Sequence, residues 1–219
     1  MTVKRSADGE YTISGVLVGD LSLKRYFTYT GKLTTIDRHG STEEIPNSTL
    51  NADLTLNEWA QARLQDKADF YYLQDESCRV LELYLAEEGV GLAETWPTGN
   101  GRVLKVEFFV EWATDVTQGI PAGTYKVVAR DEESKGIPRE FLKPGGIASG
   151  YPNVFTYPAG TWYEKISNGT MKEYARIDAG TMTVVRDGDK HTLNIDFIDC
   201  DKAHQHHVRS TVTQHTPLN

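Results

Sequence analysis

The chain has 219 residues, enough to bury a full core as one large all-β domain or two small ones. Apolar residues make up 39% and charged residues 25%, with 31 acidic against 23 basic side chains and a net charge of −8. That balance repels a phosphate backbone, so nucleic acid is excluded as an expected partner; no window reaches the ~18 uninterrupted apolar residues of a membrane span.

The first residues, "MTVKRSADGEYTISG", carry Lys4 and Arg5 but no apolar stretch behind them, so they do not read as a signal peptide. Either the chain stays in the cytoplasm, or a signal was trimmed ahead of Met1 and any lipid anchor went with it. Next come "YTISGVLV" and "SLKRYFTYTGKLTTI", whose Thr, Tyr and Ile content predicts strands.

Thr55-Leu56-Asn57-Glu58 has the pattern of a capping box, with Thr55 as N-cap and Glu58 three positions on. Leu56, Trp59, Ala60 and Leu64 follow at helical spacing, which predicts one short helix over 55–67. The domain reading places an N-terminal β segment over 1–67 and an antiparallel sandwich or barrel-like domain over 68–219.

Strand signals dominate the second region. In "RVLELYLA", Leu81, Leu83 and Leu85 oppose Glu82 and Tyr84. In "RVLKVEFFVEW", Leu104, Val106, Phe108, Val110 and Trp112 share one face, and Lys105, Glu107, Phe109 and Glu111 the other. Both predict half-buried antiparallel strands with the polar face in solvent. "GTMTVVRDGDKHTLNIDF" predicts a hairpin turning at Asp187-Gly188 or Gly188-Asp189, with Met182 and Val184 facing Leu193, Ile195 and Phe197. "HHVRSTVTQ" then predicts a last strand.

Ala-Gly-Thr recurs at Ala122, Ala159 and Ala179, each time before a β-rich run. The spacing is unequal, so these predict turn glycines and not a solenoid repeat. The fold class is therefore all-β and mainly antiparallel, a β-sandwich or barrel, with the one short helix.

The succession "ADFYYLQ", the alternating strand pair, "IPAGTYKVV" and "IDAGTMTVVRDGDKHTLNIDF" resembles a group of secreted or lipid-anchored β-rich proteins of unknown function from gut Bacteroidetes. The resemblance covers about 68–218. The chain departs from it at His191, where the group has Tyr, and in the His-rich turn after Cys200. It implies a cell-envelope or secreted location and a sandwich-like or barrel-like fold, and it carries no catalytic residues across.

Chemistry-bearing constellations are sparse. Five of the six histidines lie at His191, His204, His206, His207 and His215. On a strand His204 and His206 would share a face and could chelate Zn or Ni, but the spacing matches no standard zinc motif, and adventitious affinity at a polar hairpin tip is the plainer reading. Adjacent carboxylates such as Asp75-Glu76 point to opposite faces of a strand and make no acid/base pair. No nucleophile elbow, zincin, P-loop, dinucleotide or calcium-loop pattern occurs. Cys78 and Cys200 read as free thiols, with a disulfide left open. Asn47-Ser48-Thr49 and Asn168-Gly169-Thr170 fit a glycosylation pattern short enough to arise by chance.

Aromatic residues are the better lead. Trp96, Phe109, Tyr151, Trp162 and Tyr163, with Tyr71, Tyr72 and Tyr157, fall in loops or on polar-looking strand faces, where exposed rings could stack on sugars or anchor a protein interface. The expected function is a non-catalytic secreted or envelope-associated protein that binds a glycan or a protein partner without a cofactor. The alternative is a lipocalin-like barrel carrying a small apolar ligand against Leu104, Phe108 and Phe197.

Overall fold

The computed structural model describes residues 1–8, 10–18, 24–32, 48–66, 78–92, 97–131, 137–151 and 159–215. It divides into two compact units, Met1–Glu44 and Ile45–Asn219. The small unit is an antiparallel meander of β1 (Thr2–Arg5), β2 (Glu10–Val18) and β3 (Lys24–Lys32). Val3, Ile13 and Tyr29 form one cross-strand row, and Gly15 faces Phe27, whose ring lies against the position a Cβ would take.

The large unit contains β4 (Leu54–Thr55), β5 (Gln61–Asp66), β6 (Arg79–Ala86), β7 (Val90–Gly91), β8 (Thr98–Val110), β9 (Gly123–Val128), β10 (Gly146–Ala148), β11 (Trp162–Ser167), β12 (Thr170–Asp187), β13 (Lys190–Asp199) and β14 (His207–His215). Five of these close a ring: β8 pairs β11, β11 pairs β12, β12 pairs β9, β9 pairs β10 in parallel, and β10 returns to β8. β6 and β5 extend the sheet outward from β8, while β13, β14 and β4 extend it from β12. The all-β, mainly antiparallel, barrel-like architecture expected from the sequence is present. No helix among the described residues is long and apolar enough to cross a membrane.

Two long strands make closure work. β8 pairs β11 through 100–105 and β10 at Phe108, so one strand serves both halves of the ring. β12 does the same, pairing β11 through its first half and β9 and β13 through its second. The change of partner along β12 coincides with a register shift between Ile177 and Ala179, followed by Gly180 at φ +114. A Cβ on Gly180 would fall on the carbonyl oxygen of Asp196, so the third Ala-Gly-Thr is a bulge inside a strand and not a turn. Gly160 (φ +78) sits against Ser149 in the chain leading to β11, and Gly123 (φ +152) opens β9.

The terminal hairpin matches its reading closely. Met182 pairs Ile195 and Val184 pairs Leu193 across a two-residue loop of Gly188 and Asp189, with Gly188 at φ +61. These side chains join Leu81, Leu83, Leu85, Leu104, Val106, Phe108, Phe197, Val208 and Val212 in the main core.

Three expectations are corrected. No described residue of 55–67 is helical: Thr55 ends β4, and Gln61–Asp66 is strand β5 on β6. The N–H of Leu56 donates to Arg209 O and Asn57 Oδ1 accepts from Thr211 N–H, so the backbone and amide groups of a helix start are committed to β14. The boundary between units also falls before 67, because β4 and β5 hydrogen-bond into the large sheet. Finally, β6 and β8 are buried on both faces. Behind the core-facing leucines, Val80 and Phe109 pack with Cys78, Ile137, Leu142 and Ala148, while Tyr84 packs with Val90, Leu92, Val103 and Ile166. Cys78 and Cys200 are free thiols.

Candidate functional site

Alternation along β12, β13 and β14 sends Met182, Val184, Leu193, Ile195, Val208 and Val212 inward. The intervening residues must then point out, and nearly all are polar. Register aligns them into cross-strand rows: Lys126, Thr181, Asp196, Arg209 and Thr55 in one; Thr124, Thr183, Asn194 and Thr211 in the next. Asn57 continues the second row by accepting the Thr211 N–H at 3.0 Å. Apart from Lys126 and Thr124, the rows line an open groove of about 390 Å³ with Ser210 and Ile195 also on its wall.

Hydrogen bonds hold this face in place. Thr211 Oγ1 donates to Asn194 Oδ1 at 3.2 Å, and the hydroxyls of Thr124 and Thr183 lie 3.4 Å apart. With their Oδ1 atoms engaged by Thr211, Asn57 and Asn194 leave their NH2 groups to face a ligand. At one end Arg209 is clamped by two carboxylates: Nη1 donates to Asp53 Oδ2 at 2.8 Å, and Nε lies 3.3 Å from Asp196 Oδ1. His207 completes the group, its Nδ1 2.6 Å from Asp196 Oδ1 and its backbone N–H donating to Asp53 Oδ1 at 2.9 Å. The backbone N–H of His207, followed by Arg209, holds the Asp53 carboxyl below its ordinary value. Threonine hydroxyls, amide NH2 groups and a carboxylate alternate across the groove, so donors and acceptors lie within a few ångströms of one another. That arrangement can hydrogen-bond a ligand rich in hydroxyls.

A second polar cluster lies behind the core on β6, β8 and β11. Lys105 Nζ is 3.0 Å from Glu82 Oε1 and 3.1 Å from Glu107 Oε1, with all three side chains at most 2% exposed. Gln65 Nε2 donates to Glu82 Oε2. Glu164, on the same face of neighbouring β11, is also buried; burial pushes its carboxyl up to about 7 against the pull of Lys105. These groups are shut away from solvent and act on stability, as argued below.

The residues expected to carry binding have other places. Phe109, Trp162 and Tyr163 are fully buried, which corrects the expectation of exposed stacking rings. Phe109 belongs to the small apolar cluster with Val80; the Trp162 indole N–H donates to Ala159 O at 2.8 Å; the Tyr163 hydroxyl donates to Glu173 Oε1 at 2.7 Å. Burial, then the Glu173 carboxylate, raise the Tyr163 phenol above its ordinary value. They are buried because strands 6, 8 and 11 are covered on both faces, which alternation alone does not reveal. Tyr151 is half-buried with the Arg130 guanidinium 5.3 Å above its ring. Trp96, Tyr71, Tyr72 and Tyr157 lie outside the described residues.

His204 and His206 precede β14 and are not on a strand, so the shared face expected of them does not form. His204 is largely exposed, 3.7 Å from Asp201, whereas His206 is mostly buried, 3.9 Å from Asp199. Among the described residues no group of three or more His, Cys, Asp or Glu side chains is placed to hold a metal ion. The groove residues went unnoticed because none is chemically unusual alone; their signal was the outward half of two alternating strands, Thr181-x-Thr183 and Arg209-x-Thr211.

No family model matches the chain, and neither a curated protein nor a solved structure is similar to it.

Proposed function

We propose that this chain is a non-catalytic binding protein that takes a glycan in the groove over β12, β13 and β14. The observation that supports it is the pair of polar cross-strand rows lining a space of about 390 Å³. Most small-molecule sites are apolar with a few polar anchors. Here Thr181, Thr183, Asn194, Asp196 and Thr211 set donors and acceptors into a wall whose larger part is apolar, a mixture that suits a ligand carrying hydroxyls on a carbon frame. A secreted or envelope location accompanies this reading through the family resemblance. The alternative, a small apolar ligand inside the barrel, draws less support: Leu104, Phe108 and Phe197 are fully buried in one core cluster, and the Phe108 ring meets Tyr125 edge-on at 5.2 Å.

Titration of immobilised oligosaccharides tests the reading. Binding should appear for the unaltered chain and vanish in Thr183→Trp, which fills the groove, while the melting temperature stays within a few degrees. Silence across a broad glycan panel, or binding that survives Thr183→Trp, would exclude the groove as a glycan site.

A further inference from the structure

We infer that the groove selects uncharged, hydroxyl-bearing ligands against anionic ones, a selectivity that rests on the glycan reading above and assigns its ligand class. Arg209 is the one cationic side chain among the described residues lining the groove. Asp53 takes its Nη1 at 2.8 Å and Asp196 lies 3.3 Å from its Nε, so two carboxylates offset the guanidinium charge that a ligand carboxylate or sulfate would meet. His207 is drawn into the same cluster at 2.6 Å from Asp196. Two carboxylates, one guanidinium and one imidazole sum to −1 with the imidazole neutral and to zero with it protonated. With both carboxylates ionised the cluster is not positive. Lys126 stands next to Thr181 in the row but outside the groove wall.

An anionic ligand therefore meets Asp196, whose Oδ2 has no partner among the described residues, and a guanidinium whose charge Asp53 and Asp196 already offset. The chain's net charge of −8 adds to that repulsion at long range. A neutral sugar meets the reverse: Asp196 Oδ2 accepts one hydroxyl proton, while the NH2 groups of Asn57 and Asn194 donate to hydroxyl oxygens. Adjacent hydroxyls on one ring can take both kinds of contact together.

The experiment measures, at low ionic strength, the binding of neutral cello-, manno- and xylo-oligosaccharides beside oligogalacturonate and heparin fragments of similar length. The expected result is binding from the neutral set, with the acidic set at least tenfold weaker. Asp196→Asn raises the cluster charge by one and releases Arg209 from one carboxylate, so it should narrow the gap several-fold by strengthening acidic binding. Acidic fragments bound as tightly as neutral ones by the unaltered chain would overturn the selectivity and leave the groove reading standing. An unchanged neutral-to-acidic ratio in a folded Asp196→Asn would overturn the role of the clamp. No binding by either set would overturn the glycan reading, and the selectivity with it.

Discussion

The indole N–H of Trp59 donates to Ser210 Oγ at 2.7 Å, joining the segment after β4 to the inward face of β14. Both residues are buried, Trp59 in the main core. The bond fastens the crossing between β4 and β5 against the main core, where a helix was the sequence expectation. A buried indole donor without its acceptor carries the full desolvation penalty, so Ser210→Ala should cost about 1–3 kcal/mol. Trp59→Phe loses the same bond together with some packing and should cost at least as much. Urea unfolding midpoints of the two single variants and the double decide the matter: additive losses would show that the two groups do not interact.

How much was legible follows from this segment. Leu56, Trp59 and Leu64 lie at helical spacing, yet Ala62 and Leu64 also alternate, and a run this short satisfies both periods. What decided against a helix was β14, which takes the Leu56 N–H through Arg209 O and occupies Asn57 from Thr211, 154 residues further along the chain. The terminal hairpin was legible, its turn to within one residue, because Gly188 and the alternation of Met182, Val184, Leu193 and Ile195 are local signals that agree. Asn168-Gly169 was an equally local signal: both residues have positive φ and close the β11–β12 hairpin, though the pair reads first as part of a glycosylation pattern. The binding groove was legible only in halves. Strand alternation marks which residues face outward, but the rows exist only once register sets Thr181 beside Asp196 and Asp196 beside Arg209.

The three glycines of the Ala-Gly-Thr runs should rank differently when substituted. All have positive φ, but a Cβ on Gly123 meets nothing within 4 Å, whereas on Gly160 and Gly180 it falls on the backbone of Ser149 and of Asp196. Gly123→Ala carries only conformational strain and should cost about 1 kcal/mol. Gly160→Ala and Gly180→Ala add the displacement of a neighbouring carbonyl and should cost about 2–4 kcal/mol. Equal melting temperatures for the three variants would contradict the bulge assigned to Gly180.

Glu164 sets a pH window. Its folded-state carboxyl titrates at about 7, above the ordinary 4.5, because burial disfavours the charged form. A raised carboxyl stabilises the fold fully below the unfolded value and loses that contribution as pH rises through the folded one, so the loss runs from about 4.5 to about 7. Its size is a few kcal/mol. Asp53, Asp115 and Asp201 are shifted the other way, and their contributions disappear only as pH falls below the ordinary carboxylate range. Glu164→Gln should flatten the decline between pH 5 and pH 8 in denaturant midpoints. A decline of unchanged slope would assign it to another group.

Lys105 offers the sharpest test of the buried cluster. Its ammonium lies about equally far from Glu82 Oε1 and Glu107 Oε1, and Glu164 senses it as an opposing charge. Lys105→Met keeps the length and apolar stem but takes away the charge, leaving carboxylates with no ammonium between them in a region closed to water. Breaking a buried ion pair from one side costs about 3–5 kcal/mol, whereas replacing every member with uncharged groups of like size is often neutral. Lys105→Met alone should therefore lose about that much stability. Lys105→Met with Glu82→Gln and Glu107→Gln should regain most of the stability. If the triple variant is as unstable as the single one, the loss comes from packing around the Lys105 stem between Tyr84 and Trp162 on the neighbouring strands, and charge is not its cause.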